Sequence, residues 1–112
     1  MDMNKVTNEL QCYIALSLFD PFTGESFSKD FLTGKDRDHV TACEEALRLL
    51  NGVDETSLAM LKDEIKSNLN DIYDFFKKAN EECRTRSIIP NEMNVEAEEG
   101  FKAALDILEQ IG

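Results

Sequence analysis

The chain of 112 residues has no tryptophan, one histidine, two prolines and three cysteines, and only 12 lysines and arginines. Each shortage excludes something. A lone imidazole, His39, rules out two-histidine metal sites and double-histidine acid–base mechanisms. Three cysteines, odd in number and without Cys-x-x-Cys spacing, make neither a disulfide framework nor paired zinc ligands, and they read as reduced thiols. No segment approaches the roughly 20 apolar residues that span a bilayer. The run Cys12-Tyr13-Ile14-Ala15-Leu16-Ser17-Leu18-Phe19 is too short. Only Lys5 precedes it as a base, and Asp20-Pro21 follows where a signal peptide would carry small residues for cleavage. A cytoplasmic location is expected, or export by a route without an N-terminal signal. The shortage of bases matters most, because 23 carboxylates leave a formal net charge of −11. That charge repels phosphate backbones and anionic lipid and attracts basic surfaces. Neither nucleic acid nor membrane is expected as a direct partner.

What remains is enough for one compact domain over residues 1–112. Apolar residues make up 42% of the chain and charged ones 31%, and seven phenylalanines are spread along it, so several elements can each supply a large core side chain. Leu58, Leu61, Ile65, Leu69, Ile72, Phe76, Ala79 and Cys83 recur at steps of three and four, the period of one helical face. They predict a long amphipathic helix over 55–83, capped by Asp54 or Thr56. Val40, Cys43, Ala46, Leu47 and Leu50 predict a helix over 37–51, with Asp36 or Asp38 as N-cap and Gly52 ending it in the left-handed conformation. The link Asn51-Gly52-Val53 sets these two helices antiparallel. After the break at Pro90, Ala97, Phe101, Ala104, Leu105, Leu108 and Ile111 predict a helix over 92–111, capped by Asn91 or Asn94. Gly100 inside it costs about 1 kcal/mol relative to alanine and marks a close helix contact. A first helix over 4–19 faces inward with Val6, Leu10, Tyr13, Ile14 and Ser17. The fold class is all-α, a four-helix bundle with an irregular phenylalanine-rich segment between helices 1 and 2.

That segment, residues 20–36, opens with Asp20-Pro21-Phe22-Thr23-Gly24-Glu25, a turn in which proline presets φ and glycine permits a positive one. Phe22, Phe27, Phe31 and Leu32 are too apolar for a solvated loop, so the segment is expected to fold back as a lid over one end of the bundle, with a short helix near 28–32. Helix 1, this turn and the following Val40…Ala46-Leu47 together resemble the helix–DPxTGE–helix pattern of small uncharacterised bacterial proteins. The resemblance covers less than half of the chain. It implies a bacterial or phage origin, and it brings no functional residues with it.

Chemistry-bearing constellations are few. His39 and Cys43 stand four apart, the spacing of two ligands on one helical face, but the chain supplies no second pair. Histidine phosphotransfer domains resemble this chain in size and in being helical bundles. Their phospho-accepting histidine is followed three and four residues later by lysine and glycine, whereas Ala42 and Cys43 occupy those places here. Cys43 and Cys83 lie on apolar stripes, where a thiol behaves as a small hydrophobe. Adjacent acids (Glu44-Glu45, Asp63-Glu64, Glu81-Glu82, Glu98-Glu99) are abundant, as on solvated helix surfaces. Asp36-Arg37-Asp38 lacks the glycine and bidentate glutamate of a calcium loop, and there is no glycine-rich phosphate loop. No metal and no cofactor are expected, and the chain is read as a non-enzyme.

Two features remain. Between Asp54 and Cys83 eight carboxylates face four lysines, and from Pro90 onward six face Lys102 alone. On the last helix Glu92, Glu96, Glu99 and Asp106 share one side, either as a solvated face or as a docking face for a basic partner. The second is the apolar end of helix 1, where Cys12, Leu16 and Phe19 point away from the inward stripe. Either the lid covers them or they form a dimer or partner contact. The leading expectation is a protein–protein interaction module. It would be an acidic helical bundle that binds or inhibits a basic protein, with the profile of immunity proteins, antidotes, phage inhibitors and chaperones. The alternatives are a small enzyme using His39, on the phosphotransfer pattern, and a structural homodimer.

Overall fold

The computed structural model describes residues 3–51 and 61–110. Four helices dominate: α1 (Met3–Ser17), α2 (Gly34–Leu50), α3 (Lys62–Thr85) and α4 (Glu92–Gln110). A two-stranded hairpin of β1 (Phe19–Asp20) and β2 (Glu25–Ser26) and a 3-10 turn at Lys29–Phe31 join α1 to α2. Helix α1 packs on α2 and α4, and α3 packs on the same two, which closes a four-helix ring. Neighbours run antiparallel. Lys5 meets Glu99 while Leu16 lies by Met93 between α1 and α4, and Asn80 meets Asn94 while Lys66 meets Glu109 between α3 and α4. The chain is thus an all-α four-helix bundle, and among the described residues no helix is long and apolar enough to cross a membrane.

The core follows the stripes read from the sequence. Val6 and Leu10 of α1, Cys43 and Ala46 of α2, Ile65, Leu69 and Ile72 of α3, and Phe101, Ala104 and Leu108 of α4 form one buried cluster. Each fully buried leucine contributes about 1.5–3 kcal/mol over its exposed state. Phe101 sits at the centre, with Tyr13 edge-on at 5.6 Å and Phe76 stacked at 6.3 Å between ring centroids. Asn80 is the unexpected member: fully buried, it donates through Nδ2 to the Asn94 carbonyl at 3.1 Å and to Glu98 Oε1 at 2.9 Å. These bonds satisfy Nδ2 and tie α3 to α4 where the chain turns between them, while Oδ1 is buried with no partner among the described residues.

Several boundaries differ from expectation. Helix α2 begins at Gly34, with Thr33 at the N-cap and no side-chain cap bond, so neither Asp36 nor Asp38 caps it. Gly34 turns the chain at φ +59°, and Asp36 falls in the first turn, where its charge suits the helix dipole. Helix α3 is described from Lys62, and the Gly52, Asp54 and Thr56 caps and Leu58 lie outside the described residues, as does Ile111. At its far end α3 runs to Thr85. Ser87 then takes a left-handed φ of 59°, while Ile88 N–H donates to the Cys83 carbonyl at 2.8 Å and Ser87 N–H to that of Arg84 at 3.1 Å. That is the paired-bond ending usually built on glycine. Asn91 caps α4 as expected, its Oδ1 accepting from Met93 N–H at 2.8 Å.

Of the residues expected to form a lid over 20–36, Phe27 and Leu32 are half-buried, whereas Phe22 and Phe31 face solvent. Asp20 accepts from Phe22 N–H through Oδ1 and from Gly24 N–H through its carbonyl, each at 2.8 Å, and Gly24 takes φ +73°. The segment therefore satisfies its polar backbone as a hairpin, pairing Phe19 with Ser26 and Asp20 with Glu25, without needing a surface of the bundle. Phe22 is left 98% exposed and Phe31 80% exposed. The expected short helix does form, as the 3-10 turn capped by Ser28, and Lys29 ties it to Glu44 of α2 at 2.8 Å.

Gly100 marks the close contact anticipated for it. It is buried where α4 crosses α1, and a Cβ built there would lie 2.8 Å from Glu9 Cβ and collide with Glu9 Cγ. Gly100→Ala should therefore lower stability in urea denaturation by about 1–2 kcal/mol, because overpacking outweighs the roughly 1 kcal/mol gained in helix propensity. Adding Glu9→Ala, which removes Cγ, should recover part of that loss.

Candidate functional site

The crossing at Gly100 opens into a groove of about 170 Å³ between α1 and α4. Glu9, Cys12, Tyr13 and Leu16 line it from α1 at steps of three and four, one face of that helix. Met93, Asn94, Glu96 and Ala97 line it from the first turns of α4, with Phe76 and Phe101 at the base. The lining is predominantly apolar. Leu16 is 62% exposed and Met93 64% exposed, so the mouth presents apolar surface to solvent.

Two carboxylates stand in this wall. Burial, and then the negative charge of Glu96, raise the Glu9 carboxyl above its ordinary range, with Lys5 opposing. Lys5, whose ammonium is held by Glu99 at 2.7 Å, also attracts both carboxylates and offsets part of their repulsion. Among the described residues neither Glu9 nor Glu96 forms an ion pair. An apolar trough with two unpaired acids is a surface that prefers a cation, since a base placed there removes like-charge repulsion as well as adding attraction.

The acidic residues singled out on the last helix divide. Glu96 lines the groove. Glu92 is exposed in the first turn of α4 outside it, Glu99 is paired with Lys5, and Asp106 is paired with Lys102 at 3.4 Å. Cys12 and Leu16 enter the same groove as Glu96, whereas Phe19, 44% exposed, starts the hairpin and does not line it. No lid covers these three. Glu9, Tyr13 and Met93 had not been singled out as site residues. Glu9 was legible as the residue three before Cys12 and seven before Leu16 on one helical face.

His39 is half-buried, its Nε2 3.3 Å from Asp71 Oδ2, which Lys35 also approaches at 3.6 Å. This cluster ties α2 to α3. Cys43 is fully buried, and burial pushes its thiol far above the usual range, which leaves it a neutral apolar side chain. Among the described residues no group of three or more His, Cys, Asp or Glu could hold a metal ion.

Cys12 is exposed, Cys83 half-buried and Cys43 enclosed. Iodoacetamide should therefore modify Cys12 first in the native protein and reach Cys43 only on unfolding, as read by peptide mass mapping. A second expectation concerns pH. A carboxyl that binds its proton more tightly folded than unfolded stabilises the fold when protonated, and that contribution is lost as pH rises through its raised folded value. Glu9→Gln should thus raise the melting temperature near neutral pH by about 2 °C at low salt, the scale of a surface substitution. It should also flatten the pH dependence just above the ordinary carboxylate range.

Comparison with protein-family models, curated proteins and solved structures finds no match, so function is inferred from this geometry.

Proposed function

We propose that this protein is a non-enzymatic interaction module that binds a basic partner protein through the face where α1 meets α4. The observation that carries the reading is Glu9 and Glu96, without an ion pair among the described residues, standing in an apolar groove on a chain whose net charge is −11. The overall charge steers a basic protein toward the surface, and the groove supplies apolar area for a contact that survives collision. Immunity proteins, antidotes, phage-encoded inhibitors and secretion chaperones share this physical profile. The likeness rests on charge and size.

The other two readings have less behind them. A histidine enzyme would use His39, but its Nε2 is engaged with Asp71 and its side chain is only 17% exposed. A homodimer closed over Cys12 and Leu16 would bring the Glu9 and Glu96 of both copies together, a like-charge contact.

Selection from a displayed random peptide library at low salt tests the proposal. Arg- and Lys-rich peptides carrying an aliphatic or aromatic residue should be enriched, and their affinity should fall as salt rises. The Glu96→Lys variant should bind them about tenfold more weakly or worse, with helicity by circular dichroism unchanged. Enrichment of acidic or uncharged peptides, or binding indifferent to both salt and charge reversal, would overturn it.

A further inference from the structure

Resting on that reading, we infer that the groove takes one apolar side chain of a basic helical segment of the partner, with an arginine one turn away on that segment meeting Glu9 and Glu96. Size argues for a side chain over a metabolite, since the groove holds about 170 Å³ and small-molecule sites hold about 300–1,000 Å³. Its walls argue for a helix. Both are helices, whose backbone donors and acceptors are engaged internally, so an extended peptide finds no sheet edge to pair with. A helix laid along such a trough presents side chains at the three-and-four spacing that also orders Glu9, Cys12, Tyr13 and Leu16. Charge argues for arginine. Glu9 is partly desolvated and repelled by Glu96, and a planar guanidinium with five donors is weakly hydrated and suited to two carboxylates at once.

The chain itself offers two other occupants. The exposed hairpin tip at Phe22 lies between Asp20 and Glu25, so a second copy would bring acid onto acid. The segment from Arg84 to Ile89 is basic and apolar, with Ile89 92% exposed, but Arg86 is held by Glu82 at 2.8 Å and the copies repel through their net charge. A basic partner meets neither obstacle.

The test uses the full chain and a synthetic helical peptide bearing one leucine and one arginine four residues apart on an otherwise lysine- and alanine-rich helix. Three control peptides replace the leucine by serine, replace the arginine by glutamine, or scramble the order. Saturating peptide should slow alkylation of Cys12 at least about tenfold, and either single replacement should weaken binding about tenfold, as for loss of an interface anchor. Leu16→Gln and Met93→Gln keep the net charge and sit at exposed positions, so the fold is retained. Each should weaken binding comparably.

If all basic peptides bind equally, Cys12 stays reactive and Leu16→Gln is silent, the groove inference is overturned while the acidic-face reading stands. If no basic peptide binds at all, both fail. Self-association by light scattering that Ile89→Gln abolishes would give the groove to a second copy and overturn the proposed partner.

Discussion

The candidate site depends on the contact between Gly100 and Glu9. A side chain at position 100 would hold α4 away from α1, and the space between them would widen into open surface. With only hydrogen there, the helices close until Glu9 packs on the backbone of α4. The aliphatic stem of Glu9 is buried by the crossing, and its carboxyl is carried toward Glu96 on the next turn of α4. The same approach seats Tyr13 against Phe101 and leaves Cys12, Leu16 and Met93 as the walls of a trough. One missing methyl group thus sets both the packing at this end of the bundle and its electrostatics.

An excess of carboxylates is a general problem for this fold, and the few lysines are placed against it. Lys5 meets Glu99, Lys29 meets Glu44, Lys66 meets Glu109 and Lys102 meets Asp106, three of the four between different elements. Such exposed pairs contribute only about 0–1 kcal/mol each, and salt weakens them. Their effect is on where negative charge is left over. Among the described residues no ion pair reaches Glu9 or Glu96, beside apolar surface, and Lys5 offsets only part of their repulsion. Surplus charge there costs the free protein some stability and favours whatever base arrives.

The helical stripes were legible in the sequence because periodicity reports burial directly. Val6 and Leu10, Cys43 and Ala46, Ile65, Leu69 and Ile72, and Phe101, Ala104 and Leu108 all lie where their spacing put them. Gly100 was legible as a close contact for the same reason, a costly residue in an otherwise regular helix. The segment between α1 and α2 was legible only in part, because apolar content does not show which of its phenylalanines local hydrogen bonding will hold away from the bundle. Asp20 closes the turn through its own carboxylate and carbonyl, and a hairpin so satisfied leaves Phe22 in solvent. Half of the candidate site could be read as two unconnected observations, Glu96 on one helix and Cys12 with Leu16 on another. Their meeting could not, because it is decided by which helices are neighbours in the ring and at what height they cross. Asn80 escaped notice because a polar residue on an apolar stripe reads as an interruption until its partners, Asn94 and Glu98, are in place.

The central claim is that Glu9 and Glu96 repel one another in the free protein, with Lys5 offsetting only part of that repulsion, and are relieved by a bound cation. Carbon-detected NMR titration of the Glu9 side-chain carboxyl, without and with the leucine–arginine peptide, tests it most directly. Glu9 should titrate above an ordinary glutamate in the free protein and fall toward or below that value when the peptide is bound. A Glu9 that titrates as an ordinary exposed glutamate when free, or that keeps its raised value under saturating peptide, would contradict it.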